Sequence, residues 1–272
     1  MKKTVILKLG STTLTRGTAQ ISRGKLEDVA RQVLALQSGY RFIIVTSGAI
    51  AMARQFIQLH GGNTIAVKQA LAAIGQPALM KAYQEVFNDF GLPTAQCLIV
   101  NRDLDNDRSR ENITNTINVL LDNGYIPIIN ENDTVATEEI RFGDNDKLSA
   151  LTAAVLRVDL LVLASDISGL YDKDPHKHPD AAIIPLVENL NDVAHLGGET
   201  NSDIGTGGMR SKLVAAGICA ESHVEMWIVN GFEDGFLVKA LAGEVPFTRF
   251  VPQMKPPVAI EGEGRTNLGF SL

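Results

Sequence analysis

Seven stretches of this chain run almost without interruption through Val, Ile and Leu: residues 4–9, 41–46, 94–100, 125–130, 160–165, 225–229 and, more weakly, 247–251. A strand with one wet face alternates apolar and polar side chains. These do not, so the strands they predict must be covered on both faces. Between them lie segments with helical spacing. One, 23–37, sets Leu26, Val29, Ala30, Val33 and Leu34 along one side. Others span 64–90, with a break expected near Gly75 or Pro77, and 109–123, 145–157, 208–222 and 235–242. Doubly covered strands alternating with helices predict an α/β chain with a mostly parallel sheet and helices on both faces. In such sheets ligands bind beyond the carboxyl ends of the strands.

The 272 residues allow one large domain of this kind or two small ones. Hydrophobic residues at 45% and charged residues at 21% exclude a disordered chain. A formal charge of −6 argues against a general nucleic-acid binder but leaves room for a local basic pocket that takes anions. Cys97 and Cys219 sit far apart in apolar contexts and read as buried free thiols. The five histidines have no metal-ligand spacing, and His176 and His178 lie between Pro175 and Pro179 in an expected loop. A lysine interrupts the apolar run that follows Met1, so no signal peptide is expected. No uncharged apolar run approaches the ~18 residues of a membrane span. The expectation is a cytoplasmic protein that engages neither membrane nor nucleic acid.

The predicted strand ends carry the chemistry. The first ends Lys8-Leu-Gly-Ser. Side chains alternate along a strand, so Lys8 shares a face with Ile6 near the carboxyl end. A lysine there either reaches along its stem for water or aims its ammonium at an anion, with Gly10 admitting close approach. The second ends Thr46-Ser-Gly-Ala-Ile-Ala, small residues entering a helix whose free N–H groups face the sheet edge. The fourth ends Asn130-Glu-Asn-Asp, more polar groups than a minimal turn needs. Asp144 then reads as a helix N-cap, with Asn145 and Asp146 in the first turn. Ser165 and Asp166 follow the fifth strand, with turn residues at Gly169 and Asp174-Pro175. Lastly, Gly205-Thr-Gly-Gly-Met-Arg-Ser-Lys opens a helix. A cation such as Lys212 is unfavourable in a first helical turn unless it is exposed or an anion offsets it. The segment fits neither a Walker A loop nor a dinucleotide fingerprint, which leaves a phosphate cradle of another kind.

Taken in order, Lys8-Leu-Gly-Ser, Thr46-Ser-Gly-Ala-Ile-Ala, Asn130-Glu-Asn-Asp, Phe142-Gly-Asp-Asn-Asp-Lys-Leu-Ser-Ala, Ser168-Gly-Leu-Tyr with Asp174-Pro, and Gly205-Thr-Gly-Gly-Met-Arg-Ser-Lys resemble the motifs of the amino acid kinase family. The likeness covers roughly residues 3 to 245 and is strongest to members that act on free L-glutamate. It implies a three-layer αβα sandwich that transfers the γ-phosphoryl group of ATP, with Mg2+, to the glutamate side-chain carboxylate, the first step of proline biosynthesis. Lys8 and Lys212 would flank the phosphoryl group and Asp146 would hold them. Ser47, Asp133 and Asn145 would grip glutamate. Ser165, Asp166 and the run Thr206, Gly207, Gly208, Met209, Arg210, Ser211 and Lys212 would hold the nucleotide, and no side chain is assigned to the metal. Ser165, Met52-Ala53 and Arg141 depart from the usual residues but keep their size or polarity class. A kinase domain is expected over 1–251 and a tail over 252–272, without the PUA domain that follows in many bacterial relatives. Homo-oligomerisation and feedback inhibition by proline are further expectations of the resemblance. Two alternatives stay open. One is a family member acting on acetylglutamate, aspartate or uridylate. The other is a silent module that senses nucleotide or amino acid.

Overall fold

The computed structural model describes residues 2–136, 145–175, 177–197 and 208–252. Expectations placed on Arg141, Asp144, His176, Thr206, Gly207 and the tail beyond 252 fall outside them.

Eight strands form one sheet: β1 (Lys3–Leu9), β2 (Tyr40–Thr46), β3 (Thr94–Ile99), β4 (Ile126–Glu131), β5 (Leu160–Ser165), β6 (Leu186–Val187), β7 (Glu225–Asn230) and β8 (Thr248–Phe250). Their order is β3-β4-β2-β1-β5-β7-β8-β6. All pairings are parallel except β7 with β8. The helices are α1 (Ser11–Thr15), α2 (Arg23–Leu36), α3 (Ala49–Arg54), α4 (Ile65–Asp89), α5 (Asn101–Asp105), α6 (Asp107–Asp122), α7 (Asn145–Leu156), α8 (Met209–Glu221) and α9 (Phe236–Ala242).

Alternate residues of each central strand feed two separate cores. Val5, Leu7 and Leu9 of β1 pack with α2, α4 and α9 through Leu26, Val29, Leu79, Tyr83 and Phe236. Ile6 joins the other core, with Ile43, Val45, Leu161 and Leu163, under α6, α7 and α8. This two-sided burial is why the strands carry unbroken Val/Ile/Leu runs. It also fixes the side on which Lys8 emerges. Lys8 follows Ile6 by two positions and so points into the layer that holds α7 and α8.

The break expected near Gly75 or Pro77 is absent: α4 runs through both. Proline in a helix interior forfeits one backbone bond and costs ~3 kcal/mol. Leu71 and Ala72 before it, and Leu79, Met80, Tyr83, Val86 and Phe87 after it, are all buried, and their packing outweighs that cost. Gly75 is where α4 meets α3. A Cβ there would lie 1.8 Å from the carbonyl oxygen of Ala49. Sequence pattern also missed α5, whose five residues are too few for a readable period, and the two-residue β6. Among the described residues no helix is long and apolar enough to cross a membrane.

Candidate active site

Beyond the carboxyl ends of β1, β2, β4 and β5 the polar residues converge. Lys8, Asp146 and Lys212 form the centre. Lys8 comes from β1, Asp146 from the first turn of α7, and Lys212 from the first turn of α8. One carboxylate oxygen of Asp146 lies 2.5 Å from the Lys8 ammonium, and the other lies 3.2 Å from the Lys212 ammonium. Ser211 Oγ donates to that second oxygen at 3.1 Å. Asp146 is fully buried, and the two lysines are 8% and 7% exposed. Burial alone would raise the Asp146 pKa. The charges of Lys8 and then Lys212 outweigh it and hold the carboxyl at about 2. The cation at the start of α8 is therefore offset from within by Asp146, and two positive side chains share one negative charge. These three side chains together carry a net positive charge, which suits an anion as a guest.

A second group surrounds Asn145. Its Nδ2 donates to the carbonyl of Thr46 at 2.5 Å, to Ser47 Oγ at 2.9 Å and to Asn130 Oδ1 at 3.0 Å. These bonds tie the start of α7 to the ends of β2 and β4. Gly48, at φ +107°, turns the chain from β2 into α3 in a conformation that side-chain-bearing residues rarely adopt. Beneath the turn, Thr46 Oγ1 and the Tyr83 hydroxyl share a buried hydrogen bond of 2.8 Å. Asp133 stands at the rim, half-buried, and desolvation raises its pKa to about 6. It forms no ion pair with a described residue. A carboxylate so placed gains from an incoming cation.

The third group follows β5. Ser165 is buried and its Oγ donates to the exposed Asp166 at 3.0 Å. Gly208 caps α8, Met209 is half-buried and Arg210 is exposed. Thr13 enters here without a sequence signal. Its Oγ1 donates to the Ala164 carbonyl at 3.0 Å and pins α1 to the end of β5. A cavity of about 270 Å³ between Lys3, Arg41, Arg157 and Asp159 opens at the opposite, amino-terminal ends of the strands.

Thus Lys8, Lys212 and Asp146 meet in one cluster. Ser47 and Asn145 touch each other, and Ser165 and Asp166 sit together at a neighbouring strand end. An open, mostly parallel sheet whose strand ends carry paired ammoniums and helix N-termini defines an anion-handling α/β protein. Residues 3–230 match the model of the amino acid kinase family, and the chain belongs to that family. Among its curated relatives is a glutamate 5-kinase of Caldanaerobacter subterraneus subsp. tengcongensis, 42% identical over 94% of this chain and 69% of the relative. Another, from Symbiobacterium thermophilum, is 43% identical over 91% of this chain and 95% of the relative. The fold is shared with the UMP kinase of Ureaplasma parvum, at TM-score 0.64 and 16% identity over 92% of this chain and 99% of that one. Carbamate kinase from Giardia lamblia bound to AMP-PNP gives 0.65 and 17% over 93% and 99%.

Proposed function

We propose that the chain is an ATP-dependent kinase that phosphorylates the side-chain carboxylate of L-glutamate. The observation that carries this reading is the Lys8–Asp146–Lys212 cluster, in a chain more than 40% identical to proteins named glutamate 5-kinase. An oxygen of the γ-carboxylate attacks the γ-phosphorus of ATP in line. The bond from that phosphorus to the bridging oxygen breaks, giving γ-glutamyl phosphate and ADP. The attacking carboxylate is already ionised near neutral pH, so no general base is needed. A loose phosphoryl-transfer transition state asks for positioning and charge neutralisation. Lys8 and Lys212 would supply the charge, from β1 and α8, on either side of the transferred group. Asp146 would act by keeping both ammoniums in place. The bare carboxylate is so strongly favoured there that it has no proton to give at neutral pH.

On this reading Ser47, whose Oγ accepts from Asn145, keeps its own O–H for a substrate carboxylate, and Asp133 meets the α-ammonium. Ser165, Asp166 and the segment that ends at Lys212 would lie along the nucleotide. Magnesium would enter as part of the nucleotide substrate. Among the described residues no three His, Cys, Asp or Glu side chains are grouped to hold it, and Asp146 is already committed to two lysines. Its contribution would be to neutralise phosphate charge. A kinase domain over 1–251, a cytoplasmic setting, self-association and inhibition by proline complete the proposal. A purely monomeric mass in solution would remove self-association, and full activity in millimolar proline would remove the inhibition.

The deciding assay supplies MgATP, hydroxylamine and one acceptor at a time. Hydroxylamine traps an acyl phosphate as its hydroxamate. Product is expected with L-glutamate and not with N-acetylglutamate or aspartate. Product only with one of the latter two would move the reaction elsewhere in the family, and none at all would leave a binding module.

A further inference from the structure

Behind the Asn145 end of the site, four side-chain amides stand in one line. Asn145 Nδ2 donates to Asn130 Oδ1 at 3.0 Å, Asn130 Nδ2 to Gln76 Oε1 at 2.8 Å, and Gln76 Nε2 to Gln96 Oε1 at 3.0 Å. They come from α7, β4, α4 and β3 in turn. Asn130 is 2% exposed, Asn145 5% and Gln76 9%. Neither Gln76 nor Gln96 has a part in the proposed phosphoryl transfer.

A side-chain amide can turn over, exchanging its donor and acceptor ends, unless its partners forbid it. Here three groups oppose it together. Asn130 Oδ1 also accepts the N–H of Glu131 at 2.9 Å, which disfavours nitrogen in that place, and Asn130 Nδ2 donates to Gln76 Oε1, which disfavours oxygen at the other end. Asn145 Nδ2 faces the carbonyl of Thr46, which disfavours oxygen there. The two hydrogens of Asn145 Nδ2 meet three protein acceptors, and none remains for a ligand. What Asn145 offers a substrate is Oδ1, an acceptor. An acceptor selects a donor, and the only donor on glutamate at neutral pH is its α-ammonium.

We propose that Gln76, through Asn130, locks the Asn145 amide with its oxygen turned to the substrate, and so selects an acceptor molecule that carries a free α-ammonium. Gln76 is then a positioning residue, buried in the third place of the amide line and two side chains removed from the substrate. The inference rests on the glutamate-kinase reading and adds to it the origin of one part of its specificity. Without an acceptor at position 76, Asn130 Nδ2 is left unpaired in the interior, at a cost that lets the Asn130 and Asn145 amides reorganise together.

Glutarate differs from L-glutamate by the α-ammonium alone, and the pair forms the test. Each is assayed with MgATP and hydroxylamine. In the wild type kcat/KM should favour glutamate by at least about tenfold, the scale of a hydrogen bond to a charged group. Gln76→Met, nearly the same size and unable to hydrogen-bond in the same way, should lower that ratio about tenfold while glutarate kcat/KM and the KM for MgATP hold within about threefold. Gln76→Glu keeps an acceptor for Asn130 and should hold the ratio within about threefold of wild type. A general packing defect would lower both acceptors together and leave the ratio unchanged, which would overturn the inference. So would a Gln76→Glu ratio that falls as far as that of Gln76→Met. If Gln76→Met does not fold, Gln76→Ser, polar but too short to reach Asn130, carries the same expectation. A wild type that makes no product from glutamate overturns the reaction itself and this inference with it. An active wild type with an unchanged ratio in the variant overturns this inference alone.

Discussion

Lys8 is an ammonium in a run of buried apolar residues, and it is tolerated because Asp146 meets it 2.5 Å away. Lys212 shares the same carboxylate. Removing either ammonium takes a preorganised charge from the proposed transition state. Lys8→Ala and Lys212→Ala should each lower kcat by about a hundredfold or more at saturating substrates. Near-normal turnover in both would deny them that role. The same cluster makes a stability prediction. The folded pKa of Asp146, about 2, lies below its ordinary 3.8. Between those values the unfolded chain binds more protons, so the stability Asp146 contributes is present above pH 4 and is lost as pH falls toward 2. The stability advantage of the wild type over Asp146→Asn, read by denaturant unfolding, should shrink across that window by on the order of 2 kcal/mol. Asp133 behaves in the opposite sense. Burial raises its pKa to about 6, so it is a carboxylate at pH 7.5 and a neutral acid below pH 6. If it receives the α-ammonium, kcat/KM for glutamate at saturating MgATP should fall about tenfold per pH unit below 6. Asp133→Asn should be impaired throughout and should lack that limb. An acid limb of the same position in the variant would assign it to another group.

At the scale of elements, the site depends on how closely helices approach each other. The turn that carries Ser47 leads into α3, and α3 rests on α4 at Gly75. Gly75→Ala would put a methyl group against backbone, with the nearest atom 1.8 Å away, so one helix must move. We expect a loss of about 1–3 kcal/mol in stability, together with a raised KM for glutamate, because the displaced helix carries the Ser47 turn. Unchanged unfolding and kinetics would show that the α3–α4 contact has room for a methyl group at position 75. In the same layer, α2 ties down the start of α9. Lys25, fully buried, donates to Asp28 at 2.8 Å and to the Glu233 carbonyl at 2.9 Å. Asp28 and Gln32 in turn accept the N–H groups of Gly235 and Leu237, at 2.9 and 2.7 Å. Each polar group in this buried set has a partner, which is the condition for keeping charge in a protein interior.

Over the whole molecule, the unbroken Val/Ile/Leu runs were enough to read a parallel sheet covered on both sides, because burial on two faces leaves no other composition for a strand. Alternation then placed Lys8 on the face with Ile6, and the structure puts Asp146 and Lys212 in that layer. The partners of Lys212 were legible in outline, since a cation in a first helical turn asks for an anion. The roles of Thr13, Gln76 and Gln96 were not legible. Their function lies in contacts 151, 54 and 20 positions along the chain, which no local pattern encodes. The course of α4 through Pro77 was missed for the same reason: the packing that carries the helix past the proline comes from other elements. All of these parts serve one placement, that of two ammoniums around a moving phosphoryl group. A crystal structure with L-glutamate, MgADP and a planar metal fluoride in place of that group tests it most directly. Nζ of Lys8 and Nζ of Lys212 should each lie within about 3.2 Å of an atom of the phosphoryl mimic or an adjoining phosphate oxygen. Both nitrogens turned away, with water in their place, would contradict the account.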